Sequence, residues 1–164
     1  MNVTFGGKPL TLPGTQLGEG DKLPDFVVAA NDLSLVALTD TSGLRVFLSV
    51  PSLDTPVCDL EVRTFNEKAG AIPGVTVYAV SKDLPFAQAR WCGATGVEAV
   101  KTLSDYRDSS FGEATGTLIE ELKLLARAVF VVDADGVVKY AEYVPEVASQ
   151  PNFDAVVAKL QELS

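Results

Sequence analysis

The sequence predicts an α/β fold: a mixed central sheet flanked by helices, preceded by a small N-terminal β-hairpin. Three observations lead there. Short apolar runs rich in β-formers alternate with amphipathic helical stripes through the middle of the chain. An Asp-Gly turn near the C-terminus joins two apolar runs directly, which makes them antiparallel. The 164 residues are 47 % apolar, which allows a real core and argues against disorder. With no repeat and no linker visible, the span 1–164 is expected to form a single domain.

The elements follow in order. Val3 to Phe5 and Leu10 to Leu12 flank Gly6-Gly7-Lys8-Pro9 and read as the hairpin. Phe26 to Ala29 and Leu35 to Leu38 are short strand candidates. Leu44 to Val50 is stronger, apolar enough for a buried strand. A helix should begin near Thr55, because Cys58, Val62, Phe65 and Ala69 recur on one helical face, and Gly70 should stop it. Val75 to Val80 is another buried strand. A second helix is expected from about Asp83 to Cys92, with Leu84, Ala87 and Trp91 on one side and Gly93 as its stop. Val100 to Leu103 is a short strand, and Ser104 to Thr117 is a polar, Gly-containing stretch. Ala126 to Val132 and Val137 to Tyr143, joined by Asp133-Ala134-Asp135-Gly136, form the clearest hairpin. A last helix should start near Asn152 and pack through Phe153, Val156, Val157 and Leu160.

Composition removes several function classes. A net charge of −9 repels phosphate backbones, so nucleic-acid binding is not expected. The longest apolar runs, such as Phe26 to Ala30 and Ala128 to Val132, are far too short for a membrane span. Met1 to Leu10 has no apolar signal region, so a cytoplasmic protein is expected and the sequon at Asn2-Val3-Thr4 is read as chance. The absence of histidine removes Ser-His-Asp and Cys-His catalysis and all His-ligated metal sites. Two cysteines cannot complete a four-cysteine site, so no metal or cofactor is expected. Any chemistry must use Cys, carboxylates, hydroxyls, Lys or Arg.

One segment gathers those groups. In Pro51-Ser52-Leu53-Asp54-Thr55-Pro56-Val57-Cys58 a buried strand ends and an amphipathic helix begins. Thr55 suits the N-cap and Pro56 the first helical position, which puts Cys58 at N3. There its sulfur lies near unpaired backbone N–H groups and the positive end of the helix dipole, which favour thiolate over thiol. Asp54 and Asp59 oppose this, so a further cation is needed, and without histidine it must be Arg or Lys. The plain alternative for Cys58 is a small core residue. Cys92 lies at the C-terminal end of its helix, where a thiolate is disfavoured. It is placed to act after Cys58 has been oxidised, or else is a structural thiol beside Trp91. Arg127, within Leu124-Leu125-Ala126-Arg127-Ala128-Val129-Phe130, stands in so apolar a pattern that burial would be costly without a partner. Its alternative is a strand-end arginine turned to solvent. Arg45, Arg63, Arg90 and Arg107 sit in settings that read as solvated.

The order Pro51, Thr55, Cys58 resembles the active-site motif of the peroxiredoxins. With Asp54, Pro56, Val57 and Asp59 around it, and Arg90-Trp91-Cys92-Gly93 and Leu103-Ser104-Asp105-Tyr106-Arg107 downstream, the chain resembles the thiol peroxidase branch, the atypical 2-Cys peroxiredoxins, over essentially its whole length. The resemblance implies a thioredoxin-like fold and a peroxidase in which Cys58 attacks peroxide and Cys92 resolves the product as an intramolecular disulfide. It implies that Thr55 hydrogen-bonds the sulfur and the peroxide, that Pro51 shields the site, and that Arg127 is the essential arginine. A peroxide substrate, a thioredoxin-type reductant and a homodimer go with it. Two rivals remain. A thioredoxin-like disulfide oxidoreductase would normally show a C-x-x-C pair, absent here. The other is a non-enzymatic thioredoxin-fold protein with a structural disulfide or two inert thiols, and a cytosolic address argues against the disulfide.

Overall fold

The computed structural model describes residues 1–164. Its centre is a seven-stranded mixed sheet, ordered β4-β3-β7-β6-β5-β8-β9. The N-terminal hairpin, β1 (Asn2–Phe5) and β2 (Lys8–Thr11), forms a separate two-stranded sheet. β3 (Val27–Ala29) and β4 (Leu35–Ala37) make one edge of the large sheet, and a 3₁₀ turn, Leu38–Asp40, follows them.

β5 (Leu44–Ser49), α1 (Pro56–Lys68) and β6 (Val75–Ser81) form one parallel crossover. β6, α2 (Pro85–Thr95) and β7 (Val100–Ser104) form the next. These three strands alternate in the period of two that buries both sheet faces. Val46, Leu48, Val77 and Ala79 join Val62 and Phe65 of α1, Trp91 of α2, and Val156 and Leu160 of α4 (Phe153–Leu163) in one core cluster. Phe47, Tyr78 and Val80 point the other way. They pack with Phe26 and with Phe111 of α3 (Ser110–Thr115). β8 (Ala128–Val132) is antiparallel to β5, and β9 (Val138–Tyr143) closes the sheet through the expected hairpin, with a register shift at Val131/Val132.

Three local expectations change. Gly93 does not end α2: the helix runs to Thr95, and Gly96 caps it at φ 71°, the left-handed conformation glycine tolerates best. The polar stretch after β7 contains α3. Its N–H groups at Phe111 and Gly112 are held by the Asp105 carboxylate, 2.9 Å from each, and not by an adjacent cap. Arg45 is not solvated but 4 % exposed, donating to Thr41 O (3.1 Å), Thr41 Oγ1 (2.8 Å) and Asp133 O (2.7 Å). No helix is long and apolar enough to cross a membrane.

Candidate active site

The site lies where β5 and β6 run out, at the carboxyl ends of the parallel strands. After β5 the chain passes through buried Pro51 and turns into α1. Asp83, in the loop leaving β6, fastens that turn. One of its oxygens accepts from Ser52 Oγ at 2.7 Å, and the other accepts from Leu53 N and Ser81 Oγ at 2.8 Å each. Thr55 is the N-cap of α1, its hydroxyl oxygen accepting from Cys58 N at 3.3 Å, and Pro56 opens the helix. Cys58 is therefore N3. Gln150 Nε2 donates to Val57 O at 3.0 Å and holds the same turn from the other side.

Cys58 is wholly buried. Its sulfur receives a hydrogen bond from Arg127 Nη2 at 3.0 Å. Arg127 sits one residue ahead of β8, only 2 % exposed, so the solvent-facing alternative does not hold. Each part of its fork is engaged: Nε donates to Val147 O at 2.7 Å, and Nη1 pairs with Glu61. The guanidinium supplies the positive charge that a thiolate needs when its sulfur is buried. The Thr55 hydroxyl has one proton and gives it to Ser52 O at 3.1 Å, so in this state it does not donate to the sulfur. Nor do both acidic neighbours oppose the thiolate as expected. Asp54 is exposed. Asp59 is turned away, one oxygen accepting from Trp91 Nε1 at 2.8 Å and the other paired with Arg63 Nε at 2.9 Å.

Glu61 is the residue the sequence reading missed. Burial pushes its carboxyl up to about 7, although the Arg127 charge pulls the other way. One of its oxygens has no hydrogen-bond partner at all. The signal was present: Glu61 interrupts the apolar stripe of α1 between Cys58 and Val62, and a carboxylate there needs a cation.

Cys92 lies in the last turn of α2, as expected, and is half-buried. Its sulfur is 3.5 Å from Thr102 Oγ1. Thr102 gives its own proton to Asn31 at 3.0 Å, so Cys92 is the donor to Thr102. The thiol faces a cleft of about 590 Å³ between the β3–β4 turn and β7. Both cysteines are free. Their hydrogen-bond partners stand at β8 and on β7, with β5 and β6 between. The structure thus brings Thr55, Cys58 and Arg127 together, with Pro51 in the turn before them, and gives Cys92 a different partner.

Comparison with known proteins identifies the family. The Redoxin family profile matches residues 18–157. A thiol peroxidase from Clostridium acetobutylicum is 58 % identical over 161 residues, 98 % of each chain. One from Bacillus subtilis is 54 % identical over 153 residues, 93 % of this chain and 92 % of that protein. Among solved structures, a peroxiredoxin-like protein from Aquifex aeolicus superposes with a TM-score of 0.93 at 42 % identity, covering 99 % of this chain and 97 % of that one. A thiol peroxidase from Chromobacterium violaceum gives 0.91 at 25 % identity, covering 99 % and 96 %. The chain belongs to the Redoxin family, among its thiol peroxidases.

Proposed function

We propose that the thiol-dependent reduction of peroxides performed by this family runs, in this chain, through Cys58, Thr55, Arg127 and Pro51, with Cys92 as the resolving thiol. The Cys58 thiolate attacks one peroxide oxygen, and the other leaves as water or alcohol once protonated. Arg127 stays beside the sulfur and offsets charge as the O–O bond breaks. Thr55 turns its hydroxyl from Ser52 to the bound peroxide. Pro51 walls the pocket against water. Cys58 becomes a sulfenic acid, Cys92 condenses with it, and a thioredoxin-type donor reduces the disulfide. The observation that carries this reading is the 3.0 Å contact from Arg127 Nη2 to a fully buried Cys58 sulfur.

The test is a count of free thiols after peroxide is added to reduced protein. Both thiols should vanish in the wild type and peroxide consumption should stop in Cys58→Ser. Cys92→Ser should turn over once and trap the sulfenic acid. Peroxide consumption by Cys58→Ser at the wild-type rate would overturn the reading. A cytoplasmic address and a homodimer are proposed with it. The exposed side chains of Leu84 and Phe86 at the start of α2 support self-association, and sedimentation velocity of the reduced protein checks it.

A further inference from the structure

The residue after Cys58 is Asp59 and the residue before Cys92 is Trp91. The hydrogen bond between them, Trp91 Nε1 to Asp59 at 2.8 Å, is the one side-chain hydrogen bond that joins α1 to α2. It lies at the boundary of the core cluster that contains both Cys58 and Trp91, with the indole 8 % exposed. Arg63 grips the second oxygen of Asp59 at 2.9 Å, so the acceptor is held in place from its own helix.

The turn that this bond secures is weak in its own right. After Cys92 come Gly93, Ala94, Thr95 and Gly96. Gly93 stands inside the helix with open space around it, and an interior glycine costs about 1 kcal/mol against alanine. The first half of α2 is anchored differently: Gln88, fully buried, donates to Leu103 O at 2.8 Å and to Ser81 Oγ at 3.0 Å. The helix therefore has a fixed beginning and a last turn whose side-chain ties to other elements are the Trp91 bond to Asp59 and the Cys92 bond to Thr102.

We infer that Asp59 and Trp91 form a latch that positions the Cys92 turn in the reduced enzyme and sets the timing of disulfide formation. This rests on the cysteine roles proposed above. The sulfenic acid on Cys58 has two fates. Cys92–SH can condense with it, forming the S–S bond and releasing one water. A second peroxide can instead oxidise it to the sulfinic acid, that peroxide being reduced to water or alcohol. The first fate needs the Cys92 turn to leave Thr102 and cross toward β8, and Trp91 must part from Asp59 as it goes. The bond holds the enzyme shut, so it slows resolution and raises the fraction lost to overoxidation.

The experiment is a rapid-mixing single turnover of the full chain with hydrogen peroxide, quenched and read by mass spectrometry of the thiol, sulfenic, disulfide and sulfinic forms. Trp91→Phe removes the donor and keeps an aromatic ring. Asp59→Ala removes the acceptor. Asp59→Asn keeps an acceptor oxygen and removes the charge. Resolution should be roughly tenfold faster in Trp91→Phe and in Asp59→Ala, the loss of a charge-assisted hydrogen bond worth ~1.4 kcal/mol. The sulfinic fraction should fall with it, while Asp59→Asn, which keeps a weaker neutral bond, should lie between wild type and Asp59→Ala. The double variant should be no faster than either single one. Removing the Asp59 charge alters the first oxidation step equally in Asp59→Ala and Asp59→Asn, which separates charge from latch. Resolution that is unchanged or slower in both Trp91→Phe and Asp59→Ala, or whose effects multiply in the double variant, overturns the latch. A wild-type protein that consumed peroxide without forming the Cys58–Cys92 disulfide would overturn the role of Cys92, and the latch with it.

Discussion

A guanidinium held between a sulfur, a carboxylate and a main-chain carbonyl, and only 2 % exposed, is shielded from solvent that could replace a lost partner. Arg127→Met should therefore leave Glu61 as a buried unpaired carboxyl and lower stability by about 3–5 kcal/mol, measured by urea denaturation. Arg127→Lys keeps a charge but not the three-way fork, and should fold while losing most of the peroxide rate. Glu61 makes a pH prediction. Burial raises its folded-state carboxyl from an ordinary 4.5 to about 7. A raised carboxyl contributes stability that is full below the unfolded value and is lost as pH climbs through the folded one. The stability of wild type relative to Glu61→Gln should thus fall between pH 4.5 and 7 and be level above; a flat difference would contradict it. The sequence exposed Arg127 because an arginine in an apolar strand pattern demands a partner. The same reasoning failed at Arg45, whose partners are a neutral hydroxyl and carbonyl oxygens that no charge pattern reveals.

Helix ends govern the two thiols at the next scale. The Thr55 cap holds the turn that carries Cys58, so Thr55→Ala should cost about 1 kcal/mol and speed amide exchange at 57–59, while Thr55→Ser restores both. At the far end of α2, Gly93 meets nothing within 4 Å where a Cβ would stand. Gly93→Ala should raise the thermal midpoint, by about 0.5–1 kcal/mol of stability. Gly96→Ala should lower it, because its φ of 71° strains any L side chain. These contrasts also show why α1 was legible and the rest of the helical layer less so. Thr-Pro followed by an apolar stripe states its own start. The end of α2 was misplaced because two glycines compete for one stop, and only the backbone shows which is left-handed. α3 has six residues, and its first N–H groups are met by Asp105 across a loop, so nothing adjacent marks its beginning.

For the molecule as a whole, we propose that residues 1–164 unfold as one unit, checked by a single calorimetric transition whose calorimetric and van't Hoff enthalpies agree. Amide exchange should be slowest in β5, β6 and β8, whose residues are buried on both faces. It should be faster at the start of α1 and the end of α2, the segments that must move for the cysteines to meet. Equal protection of those segments in the reduced and oxidised forms would count against that motion. The mixed sheet with helices on its faces was largely readable from alternating apolar runs, while the order of its strands came only from the structure. What was not readable is that two strands stand between the hydrogen-bond partners of the two thiols. One last property follows from the pairing of Trp91 with Asp59. The chain has a single tryptophan, so its ultraviolet emission comes from one indole beside Cys92. Release of that indole into water on oxidation would shift the emission to longer wavelength, and the enzyme carries its own optical gauge of redox state.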